Sequence, residues 1–214
     1  GRDPEGSDQG DGVRCPYVRK IRTSQGDITI RGLKHGELRY LEARGVDLSS
    51  SATFDNPEAV EEVLGVVLEE EARGLLDDLY EAEVLKLLEN VLKLTFPSRE
   101  DQERMTLAAA LWVNKTLWDC ASCEREGKQR ERHCPRVVED PPFPLFKVRG
   151  REIFHCPMPE LSPYLSRLQE YVFFEQGILP EGGGLNDQWE YDLQVLLLIS
   201  SVVAEETKQG GKGL

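Results

Sequence analysis

Apolar positions recur along this chain at two spacings, and the change from one to the other predicts its elements. Tyr17 to Ile21 and Asp27 to Ile30 are β-prone segments separated by Thr23-Ser24-Gln25-Gly26. The glycine supplies the positive φ that a tight hairpin turn needs, so one small hairpin is expected. Leu33 to Arg44 sets Leu33, Leu38 and Leu41 among charges, a weak amphipathic helix that Gly45 would stop. Next, Asn56 can cap and Pro57 suits the first helical position, ahead of Val60, Val63, Leu64, Val67 and Leu68 at helical spacing. A further helix is read from Asp77 or Asp78, with Val84, Leu85, Leu88, Val91 and Leu92 on one face and Phe96-Pro97 as its stop. Ser98 with Asp101 three residues on has the form of a capping box, opening a helix through Met105, Ala108, Leu111, Trp112, Lys115 and Trp118.

From Cys120 to Pro159 the helical period is lost and prolines gather at 135, 141, 142, 144, 157 and 159. Such a long stretch without helix or long-strand signal calls for a stabilising device. Ser162-Pro163 restarts a helix, with Leu165, Leu168, Tyr171 and Val172 inward and Gly177 at its end. Gly182-Gly183-Gly184 reads as a turn. With Asn186 or Asp187 as cap, the last helix spreads Leu193, Leu196, Leu197, Ile199, Val202 and Val203 widely around its circumference, so it should be central or packed on a partner.

The expected fold is therefore mainly α: a helical domain with a small N-terminal β-hairpin and an irregular, Cys-rich, zinc-stabilised middle segment. Its divisions are a flexible N-terminus at 1–12, the hairpin and helical domain at 13–119, the Cys/Pro-rich insert at 120–160, a C-terminal helical pair at 161–204 and a flexible tail at 205–214. The two ends are polar and Gly-rich, with too little apolar surface to offset their ordering entropy.

Charge narrows the function. The 214 residues carry 39 Asp plus Glu against 26 Lys plus Arg, a formal net charge of -13 that disfavours a broad phosphate-binding surface. The most apolar stretch, Val195 to Ala204, is far shorter than the roughly 20 residues of a membrane helix. No secretory pattern is visible at the N-terminus.

The cysteines carry the clearest chemistry. Four of the five fall between Cys120 and Cys156. Cys120-Ala-Ser-Cys123 lets one backbone turn aim two sulfurs at one ion, and Cys134 and Cys156 would complete a thiolate set that suits tetrahedral Zn²⁺. His133 and His155 each precede a cysteine, so Cys2His2 and Cys3His sets stay open, as do free buried thiols, a disulfide, an iron-sulfur cluster and a redox use. Four protein ligands would close the coordination, which makes the metal structural. Cys15 is either a further thiol of the cluster or a buried residue.

Catalytic patterns are thin, with no Gly-x-Ser-x-Gly, no phosphate-binding loop and no His-Glu-x-x-His. Arg125, Lys128, Arg130, Arg132 and Arg136 form a basic string that reads as a solvated loop or a contact for nucleic acid or an acidic partner. Tyr171, Phe173, Phe174 and Trp189 cannot all face one core from two helices at those phases, which leaves two readings open, a partner-binding patch and simple core packing.

Two segments resemble the small tail-assembly and tail-region proteins of tailed phages. One is Ile28-Thr-Ile-Arg-Gly-Leu-Lys-His-Gly36-Glu37-Leu38 followed by acidic helices. The other is Leu168 to Leu198, in which the stretch Tyr171 to Gln188 contains Gly177-Ile-Leu-Pro-Glu-Gly-Gly-Gly-Leu-Asn-Asp-Gln188. The resemblance implies a non-enzymatic, helical, tail-assembly or virion-associated protein, located in the bacterial cytoplasm or the virion. Its partners would be tape-measure or tail-tube subunits, with self-association left open. The competing expectations are a zinc-containing regulatory or nucleic-acid-binding adaptor and a thiol oxidoreductase using Cys120 and Cys123.

Overall fold

The computed structural model describes residues 17–50, 53, 55–114 and 117–210. Cys15 and the expected loose segment 1–12 lie outside the described residues, as do Lys115 and residues 211–214. The protein is mainly helical with two small antiparallel hairpins. It forms two compact units that are discontinuous in sequence. One holds the described residues up to Leu33 together with Val46–Leu94, and the other holds Lys34–Gly45 with the residues from Thr95 on, including the Cys/Pro-rich segment.

In the first unit, β1 (Val18–Thr23) pairs with β2 (Gly26–Arg31), Ile21 opposite Ile28, across a turn that Gly26 permits at φ +114°. Ile21, Ile28 and Ile30 are buried, as alternation along a strand requires. Gly32 follows, and a Cβ there would stand 2.5 Å from the Leu94 carbonyl oxygen, so only glycine fits.

The helix α1 (His35–Ala43) belongs to the second unit and is taken up below. In α2 (Pro57–Val67) the Asn56 side chain accepts the Glu58 N–H, and Val60, Val63, Leu64 and Val67 are buried as their spacing predicts. A short α3 (Glu70–Arg73) and a 3₁₀ turn at Leu76–Asp78 precede α4 (Glu81–Thr95).

Two expectations for α4 need correction. It starts at Glu81, not at Asp77 or Asp78, and its buried face runs through Leu87, Leu88, Val91 and Leu94, leaving Leu85 40% exposed. Its start is fixed by the Glu83 carboxylate, which accepts the Tyr80 N–H and, from the hairpin tip, the N–H and hydroxyl of Ser24.

In the second unit, the capping box is present on α5 (Arg99–Val113). Asp101 N–H donates to Ser98 Oγ, and Ser98 N–H and hydroxyl donate to Asp101 Oδ2. The helix ends at Val113, short of Trp118, where the Asn114 side chain donates to the Ala110 carbonyl and competes with the backbone ladder.

Against α5 lies α9 (Glu190–Gly210), with α8 (Leu165–Glu175) also on α9. The shared core contains Met105, Ala108 to Leu111, Leu168, Tyr171, Leu196, Ile199 and Val202. The central position expected of the last helix is thus met, and its helical run extends through Gly210 into the segment expected to be a flexible tail. It begins at Glu190, after a 3₁₀ turn at Leu185–Asp187, so neither Asn186 nor Asp187 is its cap. Val172 and Leu197 are exposed, at 38% and 59%, and not inward.

The segment from Cys120 to Pro159 is less irregular than its composition suggests. It contains α6 (Cys120–Arg125) and a second hairpin, β3 (Phe146–Val148) with β4 (Arg151–Ile153), and α7 starts at its far end (Met158–Leu161).

Within this second unit the start of α1 meets the Gly-rich turn that precedes α9. Gly36 of α1 lies so close to Asn186 that a Cβ would stand 2.9 Å from the Asn186 Cβ, His35 N–H donates to the Gln188 carbonyl at 2.8 Å, and Lys34 pairs with Trp189 in an isolated bridge. Gln188 is fully buried and satisfied. It accepts from Glu181 N–H and donates to the carbonyls of Glu181 and Gly184, closing the Gly-rich turn on itself.

Candidate metal centre

Each cysteine of the middle segment is positioned by local chemistry. Asp119 caps α6 by accepting the Ser122 N–H at 2.6 Å, so Cys120 and Cys123 sit on its first turns. The hydrogen bonds from the Ser122 side chain and backbone hold the Asp119 carboxyl below the usual carboxylate range. After Gly127, at φ +68°, the chain reverses, and Lys128 N–H donates to the Cys123 carbonyl. The Cys134 carbonyl accepts two N–H groups, those of Val137 and Val138, in a tight turn.

The two His-Cys dipeptides are stitched together by the backbone, since Cys156 N–H donates to the His133 carbonyl at 3.1 Å. Cys120, Cys123, Cys134 and Cys156 all line one cavity of about 390 Å³. Cys123 and Cys156 are buried, Cys134 is half-buried and Cys120 is exposed at the edge. Burial pushes the Cys156 thiol above its ordinary range, against a backbone hydrogen bond from Met158, and the nearby Cys120, Cys134 and Cys123 push it further. Among the described residues, no group of three or more His, Cys, Asp or Glu stands arranged to hold a metal ion.

Neither histidine lines this cavity. His133 is buried at φ +47°, its Nδ1–H donates to the Phe154 carbonyl at 2.9 Å, and its ring meets Phe143 edge-on. His155 Nε2–H donates to the carbonyls of Val138 and Glu139. A carbonyl oxygen only accepts, so each ring carries its proton on the nitrogen named. Both imidazoles therefore tie loop to loop.

The basic string is partly engaged. Lys128 pairs with Glu126, Arg125 donates to Ser122, and the Arg132 guanidinium stacks 4.8 Å above the Trp118 ring. Arg132, Arg136 and Trp118 line the same cavity as the four thiols. Sequence reading missed Trp118 here because it was counted into α5. Its place next to the N-cap Asp119 was the available signal.

The aromatic set expected for partner binding is dispersed. Tyr171 is buried edge-on to Trp112 with its hydroxyl donating to Glu175, Phe174 is half-buried against the α5–α9 core, Phe173 is 53% exposed, and Trp189 lies under the Lys34 ammonium. No helix among the described residues is long and apolar enough to cross a membrane. Comparison with known proteins gave no matching family model, no matching curated protein and no matching solved structure.

Proposed function

We propose that this chain is a non-enzymatic interaction protein whose Cys/Pro-rich segment closes around a structural zinc ion held by Cys120, Cys123, Cys134 and Cys156. The observation that carries the reading is the convergence of these four thiols, drawn from three stretches of chain, on one cavity. The ion would draw in the walls of that cavity and offset part of the mutual repulsion of four thiolates. Four protein ligands leave no open position for an activated water, so the metal holds shape and does no chemistry. The class that the sequence resemblance favours is a tail-assembly or virion-associated factor of tailed phages, acting on tape-measure or tail-tube subunits.

The test is elemental analysis of protein purified without added metal, together with Cys123→Ser. About one zinc per chain is expected, lost in the variant along with thermal stability, because metal affinity here is folding free energy. Absence of zinc with unchanged melting of Cys123→Ser would return these residues to buried thiols. Co-purification of tail proteins from an induced host tests the class separately.

A second reading has its own support. Trp118, Arg132 and Arg136 line that same cavity, a combination of stacking ring and guanidinium groups suited to nucleic acid. Salt titration of DNA and RNA binding separates the two readings, since phosphate contacts weaken steeply as salt rises.

A further inference from the structure

We infer that the first unit carries a docking groove for a basic amphipathic helix. Its floor is apolar and comes from two helices and the turn between them: Leu76 of the 3₁₀ turn and Val84 and Leu85 of α4 present surface to it, backed by the buried Val60 and Leu64 of α2. The volume is about 420 Å³. Leu85 lies off the buried face of α4, is 40% exposed, and lines this groove as well as the neighbouring concavity it forms with Ala82, Lys86, Glu89 and Leu92.

The rim is acidic. Asp55, Glu61, Asp77 and Glu81 line it, all four are exposed, and no lysine or arginine is among the described lining residues. An apolar trough between helices is the shape that receives a helix with apolar residues at i, i+3 or i+4 and i+7. The four carboxylates select, by complementarity, an occupant with Lys or Arg flanking that stripe, and repel an acidic one. A second copy of this acidic chain is the wrong partner on charge. The inference extends the interaction-protein reading to a second surface and does not depend on the metal.

The experiment uses the full chain and two fluorescein-labelled helical peptides with leucines at i, i+3, i+4 and i+7, one with lysine at the remaining positions and one with glutamate. Saturable anisotropy binding of the lysine peptide alone is expected. The groove variant Glu61→Lys/Glu81→Lys should weaken it by about tenfold or more and admit the glutamate peptide. The control Glu70→Lys/Glu71→Lys makes the same change in net charge on exposed residues of α3 outside the groove and should leave affinity within about twofold.

Equal loss in both variants means general charge attraction and overturns the inference, as does failure of the lysine peptide to bind. Leu85→Ala, an exposed position that folding tolerates, should also lower affinity, and unchanged binding there removes the apolar floor from the argument and with it the groove. Zinc content read on the same samples keeps this outcome separate from the fate of the metal site.

Discussion

At the scale of single residues, the second unit depends on a few polar groups whose partners are fixed. Burial pushes the Asp101 carboxyl up, but the hydroxyls of Ser98 and Tyr164 and the Ser98 N–H outweigh it and hold the group below its ordinary value. A depressed carboxylate adds stability that is complete above its unfolded pKa, roughly 3.9, and is lost as pH falls through the folded value. Tyr164→Phe removes one of these donors, so it should cost about 1 kcal/mol near neutral pH. The gap between wild type and variant should then narrow below about pH 4. Denaturant titrations at a series of pH values check this, and a pH-independent gap would mean the hydroxyl acts only through packing. Capping chemistry of this kind is legible in sequence because both partners lie within one turn, as at Asn56 and Ser98. The seat of Glu83 was not, because its partner Ser24 is 59 residues away.

At the scale of elements, α5 is enclosed on more than one side. Ala108, Ala109 and Ala110 are all fully buried, and because successive helical side chains point in different directions, the three together line most of the helix circumference with small groups. Ala109→Leu should therefore overpack the core around α5 and lower stability by about 1–3 kcal/mol, seen as a drop in the denaturation midpoint. A neutral result would place Ala109 at a void. The existence of α2, α4, α5 and α9 was readable because each repeats its apolar pattern over several turns. Phase was harder to read. Leu85 is at helical spacing with Leu88 and Leu92, and Leu87 with Val91 and Leu94, and only tertiary packing chooses between the two faces. At six residues, α6 is too short to show a period at all, and its N-cap Asp119 was hidden inside the overextended reading of α5.

At the scale of the whole molecule, metal removal separates the two units. If zinc holds the thiol cavity, a chelator should raise amide exchange in residues 119–138 and 154–158, while the β1–β2 hairpin and α2 of the first unit keep their protection. Uniform protection with and without chelator would count against the metal. All four thiols line one cavity, but only the pairing of Cys120 with Cys123 is a local signal, and Cys134 and Cys156 come from separate stretches of chain. The sequence could not show that His133 and His155 spend their protons on carbonyls, a long-range pairing that depends on how the two dipeptides lie side by side.

The pairing of α1 with the start of α9 has a consequence for synthesis. His35 Nδ1 meets the Glu190 carboxylate at 2.8 Å across 155 residues of chain. At ribosomal rates of about 5–20 residues per second, α1 waits roughly 8–30 s for that partner to emerge. Throughout that interval Leu38 and Leu41, buried in the finished protein, lack the late-made segment that Lys34, His35 and Gly36 lean on. The nascent chain, more than the finished one, is where this protein is open to capture by chaperones.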